Sequence, residues 1–307
     1  MPIYPISFSI PKQKIIDRPY QKTQFMSNLI PGIQETYIYE YESDYYAEYQ
    51  KSLFAVTMKK GGWDCMRHYE ILANGCIPFF VGLENCPPTI VTTLPKSLLL
   101  QTNELFIHLS QKYKITPFSN NSPIVLTKDE WETCYRFADE LLEYTKHQLT
   151  TEHMCRNIIS KLPNVSPQKI LLFQNKPCED YLESCVQHGF KSVFHKDCHE
   201  FPYKPYMYEN SHIDVRTMYG KGFTYTEGLN NELYDLSGDA DMEKNIENRE
   251  YDIIIYCHIH REKPMLEKIL NYYPPEKIVL MCGEDEHVCC WREWSDKGHV
   301  CFVRECN

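Results

Sequence analysis

The chain has 307 residues, 32 Lys and Arg against 42 Asp and Glu, a formal net charge of −10, and 43% hydrophobic residues. That length suffices for two domains with their own cores, and an acidic chain with no basic stripe is no general binder of nucleic-acid backbones. No window approaches the roughly 18 uncharged apolar residues of a membrane span, and the start MPIYPISFSIPKQK has no apolar core of signal-peptide length, so a soluble, cytoplasmic chain is expected.

Residues 1 to 35 are punctuated by proline and read as an arm or a short strand pair on the first domain. Glu35 to Lys51 is rich in Tyr and acid, and its second half reads as a helix leading into a strand. Leu53 to Met58 is a short, partly β-branched apolar run, a buried strand broken by Lys59-Lys60-Gly61-Gly62. Asp64 then reads as the N-cap of a helix that Asn74-Gly75 ends, before a second buried strand, Cys76 to Val81. A strand turning through glycines into a helix N-terminus is where α/β proteins hold phosphate, because the first-turn N–H groups point outward. Lys59, Lys60 and Arg67 surround that point, and Glu70 lies one turn beyond on the face of Arg67, placed for ribose hydroxyls. By spacing alone, the same residues also fit a surface Arg67–Glu70 ion pair beside a solvated turn.

The segment 52–100 resembles the nucleotide-sugar-binding half of exostosin-like glycosyltransferases. The residues that carry the likeness are Ser52-Leu53-Phe54, Gly61-Gly62, Arg67, Glu70 and Ala73-Asn74-Gly75-Cys76-Ile77-Pro78. The resemblance implies that Arg67 contacts the donor diphosphate and Glu70 the donor ribose. It also implies a GT-B-like arrangement, two Rossmann-like α/β domains facing across a cleft. In that family the donor half comes second, whereas here it comes first, so either the halves are permuted or the second domain is an unrelated module.

Glu84, in the loop after Val81, is a secondary donor-sugar contact, since α/β sheets bind ligands at the carboxyl ends of their strands. Thr127 to Lys161 reads as one long helix with a Thr127–Glu130 capping box, and Pro163 and Pro167 then divide the chain into 1–162 and 163–307. The second part opens on a strand at Lys169 to Phe173 and a helix from Tyr181 to His188 closed by Gly189, with the next strand at Lys191 to Phe194. Tyr219 to Thr226 is a second glycine turn carrying Lys221, fit for a phosphate or for a surface hairpin, and Leu236 to Arg249 reads as a polar, flexible excursion. Tyr251 to Tyr256 and Lys277 to Cys282 are buried strands joined by a helix, so they lie parallel and their loops emerge on one edge.

That edge gathers His258, His260, Arg261, Glu284, Asp285, Glu286 and His287. A His beside a carboxylate suits general-base work, and the catalytic residues expected are Asp285, His287 and His258. A hydrogen-bonded turn at Glu284 to His287 is the structural alternative. Zinc ligation by these His and Asp residues with Cys289 and Cys290 lacks a Cys-x-x-Cys pair, so no metal is expected. The 14 cysteines are scattered and read as reduced thiols.

The reading is a metal-independent hexosyl- or pentosyltransferase of glycan biosynthesis. Its first domain binds a nucleotide-diphosphate sugar through Lys59, Lys60, Gly61, Gly62, Arg67, Glu70 and Glu84, and its second presents a glycan or glycoprotein acceptor. The sugar nucleotide is a substrate and no further cofactor is expected, nor a nucleic-acid partner or membrane span. Two other readings stand beside it: a silent sugar- or nucleotide-binding module, and a different nucleotide-dependent α/β enzyme.

Overall fold

The computed structural model describes residues 2–115, 126–163, 166–175, 179–234, 236–285 and 290–306. Its strands are β1 (Ile3–Pro5), β2 (Gln24–Met26), β3 (Ser52–Met58), β4 (Ile77–Val81), β5 (Ile170–Phe173), β6 (Cys198–Phe201), β7 (Ile253–Tyr256), β8 (Ile278–Cys282) and β9 (Val300–Val303). The α-helices are α1 (Glu42–Lys51), α2 (Met66–Ala73), α3 (Lys96–Tyr113), α4 (Lys128–Gln148), α5 (Thr151–Ser160), α6 (Tyr181–Phe194), α7 (Leu236–Glu247), α8 (Leu266–Leu270) and α9 (Trp291–Asp296).

The chain is mixed α/β with two sheets, and every strand pairing in them is parallel. β2-β3-β4 form a three-stranded sheet, and β1-β9-β8-β7-β5-β6 a six-stranded one. Strands of parallel sheets are covered on both faces, which is why β5 (ILLF), β7 (IIIY) and β8 (IVLMC) are unbroken apolar runs, buried at every position. One hydrophobic cluster runs from Ile6 through Phe54, Phe106 and Leu141 to Phe190 and Phe302, so the two halves share a core. A second cluster, with Tyr256, Leu280 and Trp291, lies on the other face of the six-stranded sheet.

Several expectations change. The N-terminal residues do not belong wholly to the first half, because β1 pairs with β9 and completes the six-stranded sheet. The long helix after Thr127 is two helices. The capping box starts α4, and Thr150 starts α5 afresh by accepting from the His153 N–H at 3.2 Å. A parallel bridge between Ile10 and Thr150 occupies the break. Lys191 to Phe194 is the last turn of α6 rather than a strand, and Gly189 lies inside that helix. A side chain at Gly189 would collide with the Thr151 carbonyl, so this glycine permits the close approach of α5 to α6 instead of ending a helix. Residues 236–247 form α7 rather than a flexible excursion.

The cysteines among the described residues are free thiols, most of them buried. No helix among those residues is long and apolar enough to cross a membrane.

Candidate functional site

In the six-stranded sheet the chain leaves β5 for β6 on one side, then returns to β7 on the other. This reversal opens a crevice beyond the carboxyl ends of β5 and β7, the place where α/β sheets hold ligands. A cleft of about 720 Å³ lies there, and its opposite wall is the turn between β3 and α2.

The first-half wall begins at Lys60, whose N–H donates to the Gly62 carbonyl at 3.0 Å. Gly61 and Gly62 are needed for a reason not visible in the turn itself. A side chain at Gly61 would strike the Asp285 carboxylate, and one at Gly62 the Glu305 carboxylate, so bare backbone lets the turn lie against the second half. The expected Asp64 cap is absent. The N-cap of α2 is Cys65, and no side chain caps it, leaving orphan N–H groups at the cleft. Asp64 instead accepts from the Phe8 N–H at 2.6 Å and the Tyr69 hydroxyl at 2.8 Å. Burial pushes its carboxyl up to about 6, against the pull of Arg304.

Arg67 stands at the start of α2. Its Nη2 donates to the Tyr37 hydroxyl at 3.0 Å, and its guanidinium lies 5.1 Å from the Tyr37 ring centre. Its Nε is buried with no hydrogen-bond partner among the described residues. Neither Arg67 nor Lys60 makes an ion pair with a carboxylate among the described residues. The Arg67–Glu70 ion pair allowed by spacing is therefore not formed. Glu70 accepts from the Tyr45 hydroxyl at 2.6 Å and the Thr224 hydroxyl at 2.7 Å, and burial pushes its carboxyl up.

The second-half wall is built on the two strand ends. Asp180, between β5 and α6, caps that helix by accepting from the Glu183 N–H at 3.0 Å. Its other oxygen lies 2.8 Å from Nε2 of His258, which follows β7 and is 3% exposed. Burial opposes ionisation of Asp180, but the hydrogen bond from His258, the attraction of His258 and Arg261, and the Glu183 N–H outweigh it and hold the carboxyl down at about 2. Among the described residues the buried His258 Nδ1 has no hydrogen-bond partner, and Glu284 Oε1 is 3.8 Å away. Asp285 pairs with Arg304, a buried residue after β9 that also donates to the Asp64 carbonyl at 2.6 Å and the Gly283 carbonyl at 2.9 Å. Arg304 thus ties the two walls together.

Lys60, Gly61, Gly62, Arg67 and Glu70 therefore share one cleft with His258 and Asp285. Lys59 and Glu84 do not line it: Lys59 lies over the Trp63 ring at 5.5 Å, and Glu84 is exposed beside Asn85. His287, like Glu286 and Cys289 of the zinc reading, lies outside the described residues. Among the described residues no group of three His, Cys, Asp or Glu is arranged to hold a metal ion. Comparison with protein-family models, curated proteins and solved structures finds no match.

Asp180 and Arg304 were missed. Asp180 had a readable signal, an acidic residue directly before a helix and after a buried strand, which is the pattern of a cap at a strand's carboxyl end. Lys221, in the second glycine turn, faces the cleft, but its ammonium binds Glu40 and the Tyr39 carbonyl, each at 2.7 Å, and so secures the turn to the first half.

Proposed function

We propose that the chain is a glycosyltransferase that moves a sugar from a nucleotide-diphosphate donor to a hydroxyl acceptor. The observation that carries this reading is Arg67, a cation with no carboxylate partner among the described residues, its Nε buried and unsatisfied there, beside the uncapped start of α2. Buried polar groups are ordinarily paired, so such a guanidinium calls for an anion. A diphosphate supplies the needed charge and accepts from the α2 N–H groups as well as from Lys60. The resemblance of 52–100 to exostosin-like donor halves points the same way, as does a cleft between two parallel-sheet halves in the manner of GT-B enzymes. The ribose would exchange with the Thr224 hydroxyl on Glu70, and His258 and Glu284 of the second half would face the sugar.

The test is thermal stabilisation of the purified protein by UDP, GDP and ADP and their glucose conjugates. At a ligand concentration of about 100 times Kd, stabilisation is about 2.7 kcal/mol. The expected result is a rise of several degrees with one base class, abolished in Arg67→Gln. No shift with any of these nucleotides would sink the reading.

A further inference from the structure

We propose that His258 is the general base for the acceptor hydroxyl, held by Asp180 at the crevice between β5 and β7. The proposal rests on the donor reading above, which supplies the leaving group.

The argument begins with the tautomer. An ionised carboxylate only accepts hydrogen bonds, so Nε2, 2.8 Å from Asp180, carries the ring hydrogen. In the neutral ring Nδ1 then keeps the lone pair, and that atom is buried with no hydrogen-bond partner among the described residues. A histidine serving structure alone would have both nitrogens satisfied, as His188 does through Thr151 at 2.8 Å and Gln13 at 2.9 Å. His258 is anchored on one side and unsatisfied on the other, and it lines the cleft that holds Lys60 and Arg67.

The surrounding charges suit a proton acceptor. Asp180 faces Nε2, with the Arg261 guanidinium 3.7 Å from the same carboxylate oxygen. Glu284, 41% exposed and 3.8 Å from Nδ1, faces the nitrogen that would take the proton. As the acceptor O–H bond breaks, the Nδ1–H bond forms, and the imidazolium lies between two carboxylates. The acceptor oxygen bonds to the anomeric carbon while the bond from that carbon to the diphosphate oxygen breaks. The electron pair leaves on the nucleoside diphosphate, toward Lys60 and Arg67. Attack and departure take place on opposite walls of the cleft, so the sugar is transferred with inversion. His258 is the catalytic residue and Asp180 a positioning residue.

The experiment follows release of nucleoside diphosphate from UDP-, GDP- and ADP-glucose, with water and with lactose as acceptors. His258→Gln is expected to lower kcat by roughly 10²- to 10⁴-fold while nucleoside diphosphate binding and Tm stay at the wild-type values. Asp180→Asn is expected to lower kcat at unchanged donor KM, because an amide no longer fixes the hydrogen on Nε2. A merely structural Asp180 would lower Tm and leave the kcat of the folded protein in place. Wild-type turnover in His258→Gln overturns the proposal, as does a wild-type protein that binds a nucleoside diphosphate yet releases none from its sugar conjugate. Absence of any nucleotide binding is a different failure, that of the donor reading, and this proposal falls with it.

Discussion

Asp64 is a fully buried carboxylate at the junction of the halves, and its position has a measurable consequence. Its folded-state pKa, about 6, lies above the 3.8 of a free aspartate, chiefly through burial. The folded chain therefore holds this proton more tightly than the unfolded chain. Its contribution to stability is full below about pH 4 and is lost as pH rises through 6, a change on the order of 3 kcal/mol. Asp64→Asn lacks this titration. Denaturant unfolding should show wild type losing up to about 3 kcal/mol relative to the variant between roughly pH 4 and 7, and a wild type that holds or gains stability relative to the variant over that range would contradict the assignment. At this scale the sequence was most legible where a residue's role is local. Lys60, Arg67 and His258 could be placed because glycine turns and strand ends carry their own signals. Asp64 was misread as a cap because its two donors, Phe8 and Tyr69, come from another segment and from the helix interior. Arg304 follows β9, a strand too short to separate by pattern from its surroundings, so the residue that joins Asp64 to Asp285 went unnoticed.

α6 shows how tertiary packing overrides a local sign. Glycine after an amphipathic run ordinarily marks a helix end, yet here the helix continues for five residues, Phe190 to Phe194. The continuation is rewarded by burial of Lys191, whose ammonium lies 2.5 Å from Glu200 on β6, both side chains nearly inaccessible. Glycine is required because the α5 backbone presses on that position. Gly189→Ala would raise intrinsic helix propensity by about 1 kcal/mol, but overpacking against a backbone carbonyl costs about 1–3 kcal/mol. The variant is expected to melt a few degrees lower, with α5 losing amide protection ahead of α4 in hydrogen exchange. A higher Tm would show that α5 moves aside freely. The strands read most securely were β3, β5, β7 and β8, whose runs are continuous and apolar. β6 (CHEF) was missed because Glu200 and His199 are buried with partners supplied by α6, Tyr208 and α7.

The whole molecule behaves as one body with two sheets rather than as two beads on a linker. The main core cluster takes residues from both halves, and polar ties cross the cleft at Arg304–Asp64, Thr224–Glu70 and Lys221–Glu40. Calorimetry should give a single unfolding transition with equal calorimetric and van't Hoff enthalpies; two resolved peaks would mean that the shared core does not couple the halves. The proline-marked division near 162 was legible from composition, but the return of β1 to the far sheet was not, since nothing within IYP names its partner. That pairing also orders events in time. Ile3 meets Cys301, roughly 300 residues later, and at the usual 5–20 residues per second of synthesis the first strand leaves the ribosome about 15–60 seconds before its partner exists. In that interval it has no ladder to join, and the six-stranded sheet stays incomplete until β9 has been made. The docking of β1 is thus among the last steps of folding, set by the arrival of β9 rather than by the synthesis of β1 itself.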